Sequence, residues 1–375
     1  MRILINAVSA RAGGGVSYLI NLLRILPAIC PDDQFLAVIP DIKLPIEISQ
    51  HPNLELKTIP EASGNVFKRF LWENTALINL CHSWKADLLY CVANIIPFRN
   101  PGIPVAVMLQ NVAPLTPKVL YLLKKYEPAP KFLQMLLLQK LTLFAARKSH
   151  AVIALSNDSV KLLQKWVPQT RPEVAYHGLD PAFCGSFKKP VSCGEAPYLL
   201  FVSSLYVYKG LEYLVEAMHI DPELPRLFVA GRTFDSGHAR KVSQRIIELN
   251  LTERITFLDA IPYDELPQWY SHATAMVSPS WCESSSIILL EAMACGCPVV
   301  AMNTGPMPEI CGETGIYAEP FNAKSLAEAM RKAVELDRQQ IKKKLVERAS
   351  LFTWEKSMQE HARIFAETAK PGKSC

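Results

Sequence analysis

Residues 275–301 read AMVSPSWCESSSIILLEAMACGCPVVA, and this stretch decides the fold class. The apolar runs Ala275–Val277 and Pro298–Ala301 have the length and the composition of buried strands. Between them, the polar run Ser284–Ser286 predicts the N-terminus of a helix, and Gly296 predicts its end. A strand, a helix and a second strand in this order are typical of a βαβ unit with parallel strands.

The same alternation extends over the rest of the chain. Strand-like runs are Ile3–Val8, Phe35–Ile39, Leu88–Cys91, Val105–Leu109, Val152–Leu155, Tyr198–Ser203, Arg226–Ala230 and Ile255–Leu258. Helical patterns are Val16–Leu26, Phe67–Cys81, Phe132–Lys148, Ser159–Trp166, Gly210–Met218, Ser325–Leu336, Arg338–Phe352 and Trp354–Thr368. The alternation pauses over residues 180–197, which are rich in Gly, Pro, Ser and Lys and indicate a linker. We therefore predict an α/β protein with two doubly wound, Rossmann-like domains, residues 1–185 and 195–352, that face a cleft.

The composition excludes several classes of protein. The chain has 375 residues, of which 50% are apolar and 20% are charged. This balance excludes a disordered chain, a collagen-like chain and a small disulfide scaffold. The net charge of +5 is too small for its length to indicate nucleic-acid binding.

The cysteines and histidines do not predict a metal site. The ten Cys are scattered, and several lie in apolar runs, which is typical of buried free thiols in a reducing compartment. Cys295 and Cys297 form the closest pair, and no nearby His completes a zinc site. His177 lies beside the linker, and the sequence leaves open whether it faces the cleft or acts at a hinge.

Two observations bear on location. The N-terminal apolar run ends at Asn6, unlike a signal peptide, and no uncharged apolar stretch reaches the ~18–20 residues that span a bilayer. We therefore expect a cytoplasmic protein. Residues 118–148 contain seven Lys or Arg and one acid, Glu127, between apolar runs. Two basic amphipathic helices that rest on an anionic membrane, and an ordinary pair of core helices, both fit this pattern.

Two carboxylates flank the predicted helix in the opening stretch. Glu283 lies just before the helix, and Glu291 lies about two turns along it. The free N–H groups at the helix N-terminus favour an anion such as a diphosphate, and the two carboxylates could accept hydrogen bonds from hydroxyl groups on either side of it. The alternative interpretation is that Glu283 caps the helix and Glu291 is a surface residue.

Two further motifs follow predicted strands. Gly13-Gly14-Gly15 lies between a strand and a helix, where glycines allow a phosphate or a substrate to approach the backbone. A dinucleotide fingerprint would need a third glycine where Tyr18 stands, so a tight turn without a ligand is the alternative. In the segment 201–210, a strand ends in Ser203-Ser204, and Lys209 stands beside the next helix, where a phosphate would fit.

The pattern Glu-x7-Glu followed by Ala-Met-Ala-Cys-Gly-x-Pro-Val-Val, with Pro308-Glu-Ile further on, resembles the retaining glycosyltransferases of family GT4, which have the GT-B fold. The resemblance covers nearly the whole chain. It includes the glycine loop, Tyr176-His-Gly-Leu-Asp180, and the segment from Leu205 to Lys209-Gly210.

The resemblance implies roles for individual residues in binding a nucleotide sugar. The implied contacts to the donor diphosphate are Gly14, Gly15, Ser204, Lys209, Ser285, Ser286 and Ile287. The resemblance also places Glu283 on the hydroxyls of the donor sugar, Glu291 on the ribose, and the main chain of Ile261 on the nucleobase. It implies that a C-terminal helix, residues 353–375, crosses back to the N-terminal domain.

The chain departs from the family pattern at three positions, one of which is Ser284-Ser285-Ser286 in place of the usual Gly-Phe-Gly. The family usually has Gly-Arg-Leu where this chain has Ser203-Ser204-Leu205, so one of two cations is missing, and Arg232 is a candidate substitute. The family often has His-Asp where this chain has Gln110-Asn111. Gln110 is not a base, but its side-chain carbonyl can accept a hydrogen bond from the sugar, and we assign it to the catalytic site.

The sequence therefore predicts a glycosyltransferase of polysaccharide biosynthesis that uses a UDP- or GDP-sugar. The expected acceptor is a glycan or a lipid-linked glycan, and the transfer retains the anomeric configuration. We expect Lys209, Glu283 and Gln110 to act in catalysis, without a metal or another cofactor. Two alternatives remain open: a sugar-nucleotide epimerase or hydrolase with the same fold, and a non-catalytic partner subunit.

Overall fold

The structure is a computed structural model that describes residues 1–11, 13–60, 66–233 and 236–370. The chain forms two compact units. The first consists of Met1–Leu115, Leu136–Gly178 and Trp354–Cys375, and the second of Thr116–Met135 and Leu179–Thr353. This division differs from the predicted ranges because residues 116–135 pack within the second unit, as do residues 180–185. The last residues of the predicted C-terminal segment, 371–375, lie outside the described residues.

Each unit is built on a parallel sheet. The strands of the first unit are β1 (Arg2–Asn6), β2 (Gln34–Ile39), β3 (Leu54–Thr58), β4 (Leu88–Cys91), β5 (Val105–Leu109), β6 (Ala151–Ala154) and β7 (Glu173–Val174). Those of the second are β8 (Tyr198–Val202), β9 (Arg226–Ala230), β10 (Ile255–Leu258), β11 (Ala275–Ser278), β12 (Val299–Met302) and β13 (Ile316–Ala318). Within the described residues the strand orders are β3-β2-β1-β4-β5-β6-β7 and β10-β9-β8-β11-β12-β13. Both orders reverse direction in the sheet, as in doubly wound domains, so the predicted fold class is confirmed.

Helices connect the strands. They are α1 (Gly14–Ile29), α2 (Val66–Asn74), α3 (Ala76–Ser83), α4 (Pro117–Tyr126), α5 (Ala129–Lys148), α6 (Asn157–Trp166), α7 (Leu211–Ile220), α8 (Ser236–Glu248), α9 (Leu266–His272), α10 (Ile287–Ala294), α11 (Met307–Cys311), α12 (Ala323–Glu335), α13 (Arg338–Ala349) and α14 (Trp354–Thr368). The pattern at Phe67–Cys81 predicted one helix, but the structure divides it at Thr75. No helix of the described segments combines the length and the apolar character needed to cross a bilayer.

The second unit has a core of apolar side chains between its sheet and helices α7, α8 and α12. Leu199 and Phe201 of β8 are fully buried, and they belong to one cluster with Leu214 of α7 and with Leu326 and Met330 of α12. Strands that are covered in this way need apolar residues at every position, which is why β8 has the sequence YLLFV. This rigid sheet fixes the positions of the loops that follow its strands.

A buried polar network attaches α14 to the rest of the first unit. The Tyr18 hydroxyl lies 2.5 Å from the Tyr90 hydroxyl and 2.8 Å from Nε2 of His361. Nδ1 of His361 donates to the carbonyl of Ser357 at 2.7 Å, so Nε2 must accept the proton of Tyr18. His177 is also buried and packs on Trp354 at a ring separation of 5.3 Å, so within this unit it is a core residue.

Burial in this network determines the charge of both histidines. Burial, together with the neighbouring His361, lowers the pKa of His177 to about 3. Burial also lowers the pKa of His361 to about 4. The folded protein therefore keeps both rings neutral at pH values where an unfolded chain protonates them.

We predict that this network makes the first unit sensitive to acid. Because the unfolded histidines bind protons below about pH 6.5, their contribution to stability is complete above that pH and is lost as the pH falls toward 4. Each histidine should lower the free energy of unfolding by about 2 kcal/mol between pH 7.5 and pH 5. In urea unfolding, His361→Gln should reduce this pH dependence, and the exposed His219→Gln should not. Equal pH dependence in both variants would contradict the prediction.

Candidate functional site

Two of the predicted catalytic side chains meet in the second unit. Lys209 ends the single helical turn Val207–Lys209 that follows β8, and Glu283 lies between β11 and α10. Nζ of Lys209 lies 2.6 Å from Oε1 of Glu283, and the side chains are only 15% and 11% exposed. The family resemblance assigned Lys209 to the diphosphate of the sugar donor and Glu283 to its sugar. The structure adds that the carboxylate already balances the ammonium charge.

The loops after β8 and β11 bring this pair together because they pack directly on each other. Gly210 has a φ of 74°, and a Cβ at this position would lie 2.2 Å from the carbonyl oxygen of Pro279, so only glycine fits. The Tyr208 carbonyl accepts hydrogen bonds from the Trp281 amide at 3.1 Å and from the Ser280 hydroxyl at 3.2 Å. Lys209 and Glu283 therefore stand on two loops with little freedom to separate.

The N-terminus of α10 carries the predicted phosphate contacts. The helix covers Ile287–Ala294, close to the predicted range, and Ser286 occupies its N-cap without a side-chain capping bond. Among the described residues, no group forms a hydrogen bond with the buried hydroxyls of Ser285 and Ser286. Unpaired buried hydroxyls are costly, and the helix adds unpaired N–H groups and a positive potential beside them. These groups form an arrangement that can hold an anion.

Glu291 is buried in the second turn of α10, so the alternative of a surface residue is wrong. Glu291 is only 3% exposed. Burial, together with the nearby Asp180 carboxylate, raises the pKa of Glu291 to about 8, against the lowering effect of hydrogen bonds with the hydroxyls of Tyr263 and Tyr270. At neutral pH, the Glu291 carboxyl group is therefore protonated in a large fraction of the protein molecules.

Ile261 lies in the loop that follows β10, at the same carboxyl edge of the sheet. Its side chain is half-buried, and Pro262 starts a turn directly after it. Tyr263, two residues from Ile261, interacts with both Glu291 and Asp180. Ile261 and Glu291 are therefore parts of one region of the second unit.

The structure brings Arg232 next to Ser204. The parallel pairing of β8 and β9 continues beyond both strands, with a bridge between Leu205 and Thr233 and a hydrogen bond from the Leu205 amide to the Arg232 carbonyl at 2.8 Å. In this register Ser204 and Arg232 are neighbours. Arg232 is exposed at the edge where Lys209 also lies. Its position is compatible with the substitution that the sequence suggested.

In the first unit, the glycine loop and Gln110 lie together. Gly14 and Gly15 begin α1, and a Cβ on Gly15 would lie 3.5 Å from Nε2 of Gln110. A Cβ on Gly14 would meet no atom within 4 Å, so packing alone does not require glycine there. The positive φ of 56° belongs to Gly13, at the N-cap. Gln110 follows β5 directly.

Asn94 organises the backbone at Gln110, and sequence reasoning missed it. Oδ1 of this buried residue accepts hydrogen bonds from the amides of Gln110 at 3.0 Å and Asn111 at 2.9 Å. Its Nδ2 donates to the Asn111 carbonyl at 2.6 Å. The sequence signal that could have identified Asn94 is its position shortly after the apolar strand β4. A buried side-chain amide at such a position commonly forms hydrogen bonds with backbone groups that have no other partner.

Residues 186–351 match the family model of the group 1 glycosyl transferases. Over this part of the chain, called the group 1 domain below, the sequence is similar to the group 1 glycosyl transferases. The predicted resemblance to GT4 is confirmed, and the match lies within the second unit, with Lys209, Glu283 and Glu291 inside it.

The chain is also similar, over about half of its length, to curated proteins. One is a D-inositol 3-phosphate glycosyltransferase of Corynebacterium diphtheriae, 32% identical over 46% of this chain and 42% of that protein. Another is O-antigen chain mannosyltransferase B of Escherichia coli, 27% identical over 47% of each. The chain thus spans about half the length of the curated relatives it matches.

Solved structures resemble the chain over nearly its whole length. Sucrose-phosphate synthase of Thermosynechococcus elongatus is 20% identical, with a TM-score of 0.76 over 98% of both chains. Anabaena HepE, solved in complex with UDP and glucose, is 20% identical, with a TM-score of 0.69 over 98% of this chain and 100% of that one. At this identity the likeness shows the fold, and it agrees with the predicted GT-B architecture.

We predict that Glu291→Gln makes the protein relatively more stable at alkaline pH. Because the folded state holds the Glu291 proton up to about pH 8 and the unfolded chain releases it near 4.5, the wild type loses stability as the pH rises through this interval. The loss is at most about 1.4 kcal/mol per pH unit. The neutral amide avoids it, so the difference in unfolding free energy between variant and wild type should grow from pH 5 to pH 8 and then level off. The exposed Glu328→Gln is the control, and parallel curves for Glu291→Gln and the wild type would refute the prediction.

Proposed function

We propose that this protein transfers a sugar from a nucleoside-diphosphate sugar to a hydroxyl group of a glycan or a lipid-linked glycan, with retention of configuration. The observation that carries the proposal is the Lys209–Glu283 pair, in the group 1 domain, which also contains the polar N-terminus of α10. The curated relatives are named for glycosyl transfer, and HepE was solved with UDP and glucose. These names support the reaction class.

The donor diphosphate is held by cations and by the start of α10. Lys209 provides one positive charge, and Arg232, next to Ser204, provides a second. The backbone N–H groups of Ser285, Ser286 and Ile287 add hydrogen bonds, and the glycine loop at Gly14 and Gly15 lets the backbone come close. Developing negative charge on the leaving diphosphate is stabilised by these fixed groups, which is commonly the largest contribution to catalysis. The proposal needs no metal ion.

Binding of the donor rearranges the partners of Lys209. A phosphate oxygen takes over part of the ammonium charge, and Glu283 then accepts hydrogen bonds from hydroxyls of the sugar. Glu291 binds the ribose, Ile261 contacts the base through its main chain, and Gln110 accepts a hydrogen bond from the sugar. The diphosphate departs, the acceptor hydroxyl attacks from the same face, and the leaving oxygen takes the proton.

The first test distinguishes the roles of Lys209 and Glu283 by the effect that substitution of each residue has on nucleotide affinity. A thermal-shift screen of nucleotide sugars identifies the donor, and release of the nucleoside diphosphate then reports turnover. Lys209→Ala should weaken nucleoside-diphosphate binding and lower turnover by about 10²-fold, because it removes a charge at the leaving group. Glu283→Gln should also lower kcat, but it should leave diphosphate affinity equal or higher, because it removes the competing partner of Lys209.

Lys344→Ala, an exposed lysine of α13, is the control and should behave as the wild type. If Lys209→Ala turns over at the wild-type rate, the phosphate role is wrong. Donor turnover that does not depend on an acceptor would favour a hydrolase or an epimerase, and failure to bind any nucleotide sugar would favour a non-catalytic subunit.

Only part of the basic segment 118–148 is a candidate for binding to an anionic membrane. Lys118 is not part of it, because its Nζ lies 2.8 Å from the ring centre of Phe321 within the second unit. Lys131 pairs with the buried Glu127 at 3.6 Å. Lys124 and Lys125 remain exposed, and the same part of the chain exposes Tyr121 at 61% and Leu133 at 60%. We propose that this surface attaches the protein peripherally to the cytoplasmic face of a membrane.

The second test is flotation with liposomes. The protein should float with anionic vesicles at low salt, and less so at high salt or with neutral vesicles, because each exposed lysine contributes about 1 kcal/mol that salt screens. Lys124→Glu with Lys125→Glu should abolish flotation. Lys343→Glu with Lys344→Glu makes the same charge change on α13 and should not. Equal flotation of both double variants, or none of the wild type, would exclude this surface.

A further inference from the structure

Two aromatic rings hold the ammonium group of Lys118 within the second unit. Lys118 lies in the first turn of α4. Its Nζ lies 2.8 Å from the ring centre of Phe321 and 5.4 Å from that of Trp281, and the two rings are 5.5 Å apart. Burial lowers the pKa of Lys118, and the charge of Glu212 raises it. No carboxylate of the described residues forms an ion pair with Lys118, so its charge rests on the faces of these rings.

The backbone of Phe321 is strained. Phe321 lies in the turn between β13 and α12, and its φ is 63°, a left-handed conformation that a bulky side chain rarely adopts. Such a conformation persists only where the surrounding contacts impose it, and it is concentrated at functional sites. Here the ring contacts Trp281 and the edge of Tyr213, whose ring centre lies 5.9 Å away. The ring below Lys118 is therefore held in place against the preference of its own backbone.

Trp281 connects this cluster to Glu283. It lies two residues before Glu283 in the loop between β11 and α10, and it is only 6% exposed. Its indole N–H group is buried and has no hydrogen-bond partner among the described residues. Packing, which includes the contacts with Phe321 and Lys118, therefore determines the position of the ring in place of a hydrogen bond.

The first turn of α4 makes a second contact with the same loop. Thr116 is the N-cap of α4, but its side chain forms no capping hydrogen bond. Its Oγ1 lies 3.3 Å from Sγ of Cys282, the residue directly before Glu283. The helix α4 also packs against the turn Val207–Lys209. One helix thus contacts both of the segments that carry the proposed catalytic pair.

We propose that Lys118 is a positioning residue for Glu283. Its ammonium group, stacked on Phe321 and Trp281, holds the backbone just before Glu283, so the carboxylate keeps its place when Lys209 turns to the donor diphosphate. The sugar then meets a hydrogen-bond acceptor at a fixed position, and small displacements of such a group reduce the rate strongly. This inference rests on the proposed function, because it assumes that Glu283 binds the donor sugar. The alternative is that the cluster only stabilises the second unit.

The test compares three variants by donor turnover and by nucleoside-diphosphate affinity. Lys118→Met keeps the length of the side chain and removes its charge. It should lower kcat about tenfold and leave diphosphate affinity within about twofold, because Glu283 contacts the sugar and not the diphosphate. Lys118→Arg keeps a cation on the rings and should restore most of the lost rate. Lys241→Met is the matched control, since Nζ of Lys241 lies 3.9 Å from the ring centre of Tyr126 in the same unit, and it should turn over as the wild type.

A double-mutant cycle separates positioning from stabilisation. Because Lys118 acts through Glu283, Lys118→Met should lower kcat by less than about twofold when Glu283→Gln is already present. An equal loss in both backgrounds, equal losses from Lys118→Met and Lys241→Met, or a wild-type kcat for Lys118→Met would each overturn the proposal. If Lys118→Met does not fold, Phe321→Gly removes the ring at a φ that glycine adopts without strain, and it should lower kcat with the same dependence on Glu283.

Failure of this inference and failure of the proposed function give different results. If Lys209→Ala and Glu283→Gln behave as proposed and Lys118→Met keeps the wild-type kcat, only the positioning role is wrong. If Lys209→Ala turns over at the wild-type rate, the phosphate role fails, whatever Lys118→Met does. If the wild type turns over no nucleotide sugar, the proposed function and the positioning role are both overturned.

Discussion

The parallel arrangement of the strands is the constraint on which the candidate site depends. A parallel sheet places every strand end of one kind at the same edge, and helices must cover both faces, so the loops after the strands are the segments left to carry chemistry. In the second unit, the loops after β8 and β11 carry Lys209 and Glu283, and the extension of β9 carries Arg232. In the first unit, the segments after β1 and β5 carry Gly15 and Gln110. Within each unit, residues far apart in sequence lie at one edge because the strands of its sheet are parallel.

The candidate site combines rigid backbone with groups that are incompletely satisfied. Gly210 lets two loops pack without a gap, and Asn94 fixes the backbone at Gln110. Against this background, the buried hydroxyls of Ser285 and Ser286 find no partner among the described residues. Buried groups without a hydrogen-bond partner lower the stability of the folded protein. They are concentrated at functional sites, where a ligand can form the missing hydrogen bonds.

At Glu291 and His361, burial controls the charge more than pairwise interactions do. It keeps Glu291 protonated up to about pH 8 and keeps His361 neutral down to about pH 4. The two residues use this effect differently. Around His361, neutrality lets the ring accept a hydrogen bond from Tyr18 and hold α14 in the first unit. At Glu291, neutrality provides a carboxyl group that both donates and accepts hydrogen bonds near Tyr263.

The amino-acid sequence by itself determined the fold class, the family resemblance and the position of most elements, because apolar periodicity and turn residues are local properties. The α14 helix was predicted at its observed bounds, Trp354–Thr368. The short strands β7 and β13 were missed because two or three residues carry too little periodicity, and β3 was missed because its side chains are largely exposed. Only the tertiary structure decided that Lys209 pairs with Glu283, that Glu291 is buried, and that residues 116–135 pack in the second unit. Each of these depends on which surfaces meet after folding. Hydrophobic burial and charge pairing act between residues that are close in space, and the distance between two residues along the chain does not show whether they are in contact.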